Sequence, residues 1–341
     1  MSTRGASELR SLEMLPSSPT HFTRIPVIDV SALAGHDPAA AREVAVDIRR
    51  ASVDVGFFYV TGHGVSRDLM RATHMAAKYF FRLPDAAKQA IKVNGAHRGY
   101  VPFAQTTQPG RKRPDLKESF NFAFPFTEEQ IEAYRGRALV GANQWPQGEP
   151  LFRDVLQDYY RAVFELGQQI LGGFALALDL PRDFFRNLYR CPLVRARLLH
   201  YPPQPGNADH GQFGAAEHTD YGTITILWQD DVGGLQVRNR AGDWIDAPTI
   251  EDAFVINIGD MLARWSNDLF VSTPHRVVNA SGRERFSIPV FYDPDYDTVV
   301  ECLANCATPD NPPRYPPIVA GEYITGRYDD TYSYRQPARA T

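Results

Sequence analysis

Hydrophobic periodicity divides the chain into two stretches of different character. In the first, Ile25-Pro-Val-Ile-Asp-Val reads as a short strand, and apolar residues at helical spacing run over about 38–54, stopping at Gly56. Phe57-Phe-Tyr-Val has the β-branched and aromatic character of a strand, and Thr61-Gly-His-Gly-Val turns the chain into a helix near 66–81. His63, between two glycines, reads as a turn residue. From Asn94 to about Gly148, Pro, Gly and aromatic residues break any period, which predicts a long loop covering a pocket. Leu151 to Leu180 returns to helical spacing. Gly167, Gly172 and Gly173 lower its propensity, so this long helix is either bent or closely packed at Gly172-Gly173.

After Pro181 the pattern changes to short strand-like runs: Arg195–Tyr201, Thr223–Trp228, Leu235–Val237, Trp244–Ala247, Phe254–Ile258 and Phe286–Asp293. Turn signals at Gly233-Gly234, Ala241-Gly242-Asp243 and Gly259-Asp260 separate them. Many short strands at this spacing predict a double-sheet jelly roll or a barrel. Gly321-Glu-Tyr-Ile-Thr-Gly-Arg-Tyr closes the chain with a short helix. Residues 1–22, rich in Ser, Thr and Pro, carry no period and are expected to be a flexible N-terminal tail. No internal repeat or sharp linker divides the rest.

With 341 residues, 43% apolar and 22% charged, the chain is long enough to bury a large core. A net charge of -4 leaves no basic footprint for nucleic acid. The one basic run, Arg111-Lys112-Arg113, lies in a Pro/Gly-containing loop and reads as solvated, with a contact to an anionic substrate as the sharper alternative. Cys191, Cys302 and Cys306 are too few for a disulfide framework, and no second Cys/His pair completes a zinc site with Cys302 and Cys306, so all three are expected to be free thiols. The N-terminus has no signal-peptide apolar stretch, and no run of about 18 apolar residues marks a membrane span. A cytoplasmic protein acting on a small molecule is expected. Nothing indicates its oligomeric state.

Two histidine contexts carry chemistry. In Glu217-His218-Thr219-Asp220, an imidazole and a carboxylate stand two residues apart and project to one face of an extended segment. A lone His-x-Asp is common by chance. Ser272-Thr-Pro-His275-Arg-Val, 55 residues beyond Asp220 with several strands between, offers a second imidazole that a jelly roll can bring alongside. Two imidazoles and a carboxylate leave open positions on an octahedral ion, the arrangement of non-haem Fe(II) oxygenases. Zinc in a hydrolytic site accepts the same donors. Arg285-Phe-Ser287 opens a strand, so its guanidinium and hydroxyl share one face and suit a carboxylate.

These segments, with others, form an ordered series: Ile25-Pro-Val-Ile-Asp, Gly56-Phe-Phe-Tyr-Val, Gly62-His-Gly-Val, Lys117-Glu-Ser-Phe, Tyr201-Pro-Pro, His218-Thr-Asp-Tyr-Gly, Asn257-Ile-Gly-Asp, Ser272-Thr-Pro-His-Arg-Val, Arg285-Phe-Ser and Gly321-Glu-Tyr. In this series the chain resembles the isopenicillin N synthase-like branch of the Fe(II)/2-oxoglutarate-dependent dioxygenases, from about Ile25 to Tyr334. The resemblance implies a mainly β protein with flanking helices. Its core would be a distorted double-stranded β-helix (jelly roll) over 181–341, ending in a closing helix, with an α-rich α/β region over 23–180 packed on it. It implies that His218, Asp220 and His275 hold Fe(II), and that Tyr201, Arg285 and Ser287 bind the distal carboxylate of 2-oxoglutarate. Plant members often read Asn-Tyr-Tyr-Pro where this chain has Leu199-His200-Tyr201-Pro202; the final Tyr is kept, and His200 is taken as structural.

The activity so implied uses O2 to decarboxylate 2-oxoglutarate to succinate and CO2 while hydroxylating, desaturating or cyclising a small organic substrate. Arg98, Tyr100, Phe120, Asn121, Thr225, Phe291 and Tyr292 match pocket-lining segments of relatives. Arg98 is the pointed candidate for a substrate carboxylate. Three other readings stand beside this one: a ring-closing iron oxidase that does not use 2-oxoglutarate, a zinc hydrolase, and a non-catalytic binding protein on the same scaffold. Arg285 and Ser287 disfavour the first two, and a pure binder has no need of open coordination positions.

Overall fold

In the computed structural model, which describes residues 21–204, 212–332 and 335, twelve strands form two sheets that share a core. The tail expected over 1–22 lies, apart from its last two residues, outside the described residues. The N-terminal part runs β1 (Val27–Asp29), α1 (Ser31–Ala34), α2 (Pro38–Asp54), β2 (Phe57–Thr61), α3 (Arg67–Phe81), α4 (Asp85–Gln89), β3 (Gly99–Val101), β4 (Glu118–Ala123), α5 (Glu128–Ala133) and α6 (Pro150–Ala177). There follow β5 (Arg195–Tyr201), β6 (Ala215–His218), β7 (Ile224–Gln229), β8 (Leu235–Arg238), β9 (Trp244–Asp246), β10 (Phe254–Ile258), α7 (Asp260–Trp265), β11 (His275–Val277), β12 (Arg285–Tyr292) and, near the end, α8 (Ala320–Thr331).

The larger sheet has the order β1-β2-β10-β7-β12-β5-β4-β3, and the smaller β6-β11-β8-β9. Leu199 and Tyr201 of the larger sheet pack with Ala215, Leu235, Val237 and Val277 of the smaller one, closing one end of a jelly roll. The N-terminal region does more than lie on this core, because β1 to β4 extend the larger sheet at both edges.

Local chemistry explains the helices. Asp37 caps α2 by accepting from Ala39 N at 2.9 Å, and Pro38 stands at its first turn, where a missing N–H costs nothing. Its buried stripe of Ala41, Val44, Ala45, Ile48 and Ala51 packs on α6. The long helix α6 is unbroken through Gly172-Gly173, so the glycines serve close packing. A Cβ on Gly173 would lie 2.7 Å from Ile48 Cδ1, and one on Gly167 would collide with the Tyr292 ring.

The stretch from Asn94 to Gly148 is not a structureless loop, which corrects the expectation. It contains β3, α5 and the wholly buried strand β4, paired with β5 from Glu118↔His200 to Ala123↔Arg195. In β4, Phe120 and Phe122 alternate with Ser119 and Asn121. Phe120 packs against Phe80 and Phe152, and Phe122 against Tyr160, in the layer between the sheet and the helices. Full burial of each such ring is worth roughly 1.5–3 kcal/mol. No helix among the described residues is long and apolar enough to cross a membrane. All three cysteines are free.

Candidate metal centre and active-site cavity

Between the sheets lies a cavity of about 100 Å³. β6 and β11 are antiparallel neighbours with His218 and His275 in direct register, and their rings stand 4.3 Å apart between centroids. Asp220 follows two residues after His218, in a loop held down where Asp260 N donates to Asp220 O at 2.8 Å. One donor atom from each of His218, Asp220 and His275 falls within 4.8 Å of the others. β6 (Ala-Ala-Glu-His) and β11 (His-Arg-Val) carry at most one large apolar residue, unlike the equally short β8 and β9 with two each, and the sequence reading missed both.

Hydrogen bonds behind these groups leave their donor atoms bare towards the cavity. His218 Nδ1 lies 2.7 Å from Ala216 O and His275 Nδ1 3.1 Å from Thr273 O. A carbonyl only accepts, so each Nδ1 carries the proton and each Nε2 keeps a free lone pair. Both Nε2 atoms lie near Asp220 Oδ1, at 3.8 and 3.9 Å. Asp220 Oδ2 accepts from Thr225 Oγ1 at 2.5 Å and from Asn257 Nδ2 at 2.8 Å. Burial, reinforced by the neighbouring His275, pushes the His218 pKa down to about 4. Burial pushes the Asp220 carboxyl up, but His275, His218, Thr225 and Asn257 together outweigh it and hold it below its ordinary value. A neutral imidazole beside a carboxylate is the protonation state a divalent ion requires, so this donor set fits Fe(II).

β5 and β12, adjacent and antiparallel, line another wall with alternate residues: Arg195, Arg197, Leu199 and Tyr201 from one, Arg285, Ser287, Pro289 and Phe291 from the other. Arg285 is opposite Tyr201, and Ser287 opposite Leu199. The Arg285 side chain is 0% exposed. It donates to Gly233 O at 2.5 Å, Ser287 Oγ at 3.1 Å and Gln229 Oε1 at 3.2 Å, and lies 4.8 Å over the Tyr201 ring. Among the described residues none of its hydrogen bonds goes to a carboxylate. A buried guanidinium held only by neutral acceptors fits an anion supplied from the cavity.

The structure brings His218, Asp220, His275, Tyr201, Arg285, Ser287, Thr225 and Phe291 to this one cavity. The other five expected substrate contacts lie outside it, which corrects their reading as pocket residues. Arg98, 1% exposed, spends its guanidinium on Ala96 O and Leu139 O. The Tyr100 hydroxyl donates to Glu118 at 2.5 Å. Phe120 belongs to the aromatic layer behind the sheet, and the buried Asn121 accepts from Ser119 Oγ at 3.2 Å. Tyr292 points the opposite way from Phe291, as alternation requires, and donates to Phe164 O of α6 at 2.8 Å. His200 also faces away, stacked on Phe286 and bonded to Glu118 Oε1 at 2.7 Å. His63 receives Val65 N at its turn, and Arg111 of the basic run stacks on Phe213.

Sequence reasoning missed Arg195, Arg197, Gln229, the α8 residues Tyr328 and Thr331, and Tyr332 just after that helix. The run Arg195-Ala-Arg197-Leu-Leu199-His-Tyr201 carries the signal for the first two, since strand alternation puts both arginines on the face of Tyr201. Nothing local signals the α8 residues, whose place depends on docking of the whole helix.

Comparison with known proteins agrees with this geometry. The family model described as non-haem dioxygenase in morphine synthesis N-terminal matches residues 25–148, and that of the 2OG-Fe(II) oxygenase superfamily matches 183–294. The chain is 38% identical to the 2-oxoglutarate-Fe(II) type oxidoreductase hxnY of Emericella nidulans, over 94% of this chain and 92% of that protein. It is 36% identical to the homoarginine-6-hydroxylase 2-ODD-C23 of Glycine max, over 90% of this chain and 97% of the relative. Among solved structures, a full-length Neurospora crassa protein in complex with alpha-KG superposes with a TM-score of 0.79 at 30% identity, covering 89% of this chain and 95% of that one.

Proposed function

This chain belongs to the 2OG-Fe(II) oxygenase superfamily and is a non-haem iron 2-oxoglutarate-dependent dioxygenase; from that premise we propose that His218, Asp220 and His275 hold its Fe(II), while Arg285, Ser287 and Tyr201 receive the distal carboxylate of 2-oxoglutarate. The observation that carries this reading is the pairing, in one cavity, of three converging bare donor atoms with a fully buried guanidinium bonded only to neutral groups. When bound, Fe(II) activates O2 and couples decarboxylation of 2-oxoglutarate, with release of succinate and CO2, to oxidation of a substrate C–H bond.

The chain's own residues supply position and charge. Ala216 O and Thr273 O fix the tautomers of the two histidines. Thr225 and Asn257 hold Asp220 Oδ2, so Oδ1 is the oxygen offered to the ion. Gln229, itself anchored through Nε2 to Ala247 O at 3.2 Å, orients the Arg285 fork. Hydroxylation of a small organic molecule is the outcome that the hydroxylase name of the soybean relative supports.

Separate His218→Ala, Asp220→Ala and His275→Ala variants test the ligand set. Each is expected to lose bound Fe(II) and succinate release while keeping the parent's circular dichroism. Full iron content and turnover in any one of them removes that residue from the set.

A further inference from the structure

We propose that the prime substrate presents a neutral amide or lactam edge, an N–H beside a C=O, and that the side-chain amide of Gln108 receives it. The proposal rests on reading this cavity as the active site, with 2-oxoglutarate at Arg285, and names the chemical class of the other occupant. Gln108 belongs to the segment between β3 and β4, which is held beside the end of α8. Thr107 N donates there to Thr331 O at 3.4 Å, and Arg111 N closes a turn on Gln108 O at 3.0 Å. Pro109, Gly110 and Arg111 face solvent, yet the Gln108 side chain turns inward, 7% exposed, and lines the cavity.

The inward side chain lacks a donor. Among the described residues none reaches Gln108 Oε1, although that oxygen is shut off from solvent. A buried amide oxygen left without a hydrogen bond is costly, and a surface loop can avoid the cost by pointing the side chain outward. Placed instead on a cavity wall, the oxygen fits a ligand that brings its own N–H. Other polar groups of this wall are already answered. The Tyr328 hydroxyl accepts from Arg197 at 3.1 Å, and Thr331 Oγ1 donates to Arg327 O at 2.8 Å. Thr106, Gln108, Tyr328 and Thr331 are all neutral, so this wall offers hydrogen bonds without charge.

The chemistry of an amide end narrows the class. It carries an acceptor and a donor side by side. A carboxylate answers only the donor and sets a second acceptor against Oε1, while an ammonium answers only the oxygen. A lactam or primary carboxamide answers both, its N–H donating to Oε1 and its C=O accepting from Nε2. A site with such a buried polar pair rejects an analogue that leaves one member unpaired. The wall also adjoins the metal centre, because Tyr221, whose hydroxyl is tied to Thr331 at 2.7 Å, directly follows Asp220. Gln108 is thus a specificity-determining residue that anchors the substrate by its amide edge, beside the ion and apart from the β5–β12 wall that carries Arg285.

The test uses enzyme loaded anaerobically with Fe(II) and 2-oxoglutarate and titrated by calorimetry with 2-pyridone, δ-valerolactam and benzamide, and with their fully N-methylated counterparts. At least one N–H compound is expected to bind about 10-fold or more tightly than its N-methylated form. Gln108→Leu, which keeps the bulk and removes both polar atoms, is expected to abolish that preference. Gln108→Glu accepts at both positions, so it should lose the lactam and amide ligands and gain 2-aminopyridine, whose protonated edge donates twice. A merely structural glutamine would not exchange one ligand class for the other. The affinity for 2-oxoglutarate, which also reports an intact fold, is expected to be unchanged in both variants. No binding of any N–H compound to the parent, or a preference that survives Gln108→Leu, overturns the substrate class and leaves the Arg285 assignment standing. Loss of 2-oxoglutarate affinity in folded Gln108→Leu, with Arg285→Gln unaffected, overturns the Arg285 assignment together with the proposal.

Discussion

Replacing Arg285 by glutamine removes the positive charge and leaves a polar side chain of similar reach. In the parent, the fork is already oriented by Gly233, Ser287 and Gln229, so an arriving carboxylate meets a donor that needs no reorganisation. A charge-assisted hydrogen bond to a buried carboxylate contributes about 1.5–3 kcal/mol, so 2-oxoglutarate affinity should fall roughly 10- to 150-fold. Ligand-free stability should change little. The substitution relieves a buried cation without a bonded counter-ion, but it also removes the charge that stabilises the nearby Asp230 carboxylate. Stabilisation by ligand reads the difference. At a concentration 100 times the parent's Kd, 2-oxoglutarate stabilises the parent by about 2.7 kcal/mol; the variant at that concentration should gain only about 0.3–1.4 kcal/mol. Thermal melting with and without 2-oxoglutarate, under anaerobic Fe(II), measures both quantities. A variant that keeps the parent's ligand-induced shift would refute the role given to Arg285, and a variant already unfolded without ligand would refute the argument that its neutral bonds are dispensable.

Three further outcomes are expected. Thr225→Val deletes the hydroxyl donor to Asp220 Oδ2 and should weaken Fe(II) affinity by about 10- to 100-fold, measured by competition with a chelator, while 2-oxoglutarate affinity measured at saturating Fe(II) is retained. Gly167→Ala forces a methyl group into the Tyr292 ring and should destabilise the fold by about 1–3 kcal/mol in urea denaturation, without changing turnover per folded, iron-loaded molecule. Removing the metal should abolish succinate release, with Fe(II) restoring it and Zn(II) not doing so, because Zn(II) accepts the same donors without redox chemistry. Restoration by Zn(II) would contradict the oxygenase chemistry.

The parts of the site readable in the sequence were those where spacing alone implies a shared face. His218 and Asp220 stand two apart at a strand end, and Arg285 and Ser287 two apart on a strand, so each pair could be recognised before any fold was known. The strands carrying the histidines were not recognised, because Ala-Ala-Glu-His and His-Arg-Val lack the paired large apolar residues that revealed the equally short β8 and β9, and the pairing His275↔His218 spans 57 positions. Strand β4 was hidden for another reason. Its polar residues, Ser119 and Asn121, are as buried as its phenylalanines, so its alternation does not separate core from solvent. Arg98 misled the reading because it was taken from the match of its segment to pocket-lining segments of relatives, whereas here it is buried and its fork bonds two backbone carbonyls.

Two of the three cavity arginines among the described residues, Arg197 and Arg285, stand on the adjacent strands β5 and β12 and differ in what surrounds them. Arg285 is enclosed by groups from the sheets themselves: a backbone carbonyl in the β7–β8 turn, an amide at the end of β7 and a hydroxyl two residues along its own strand. Such partners hold one geometry, which suits an anion that is the same at every turnover. Arg197 is enclosed instead by side chains from separate elements, His97 from the segment before β3, Phe291 from β12, and Tyr328 and Tyr332 from and just after α8. Helix α8 is attached there by a backbone bond from Thr107 to Thr331 O at 3.4 Å and a bridge between Thr106 and Tyr332. The shape of this end is therefore set by how α8 docks, and small changes in α8 alter the cavity beside Arg197 while the residues proposed for the ion and 2-oxoglutarate, which stand on and beside the two sheets, are left in place.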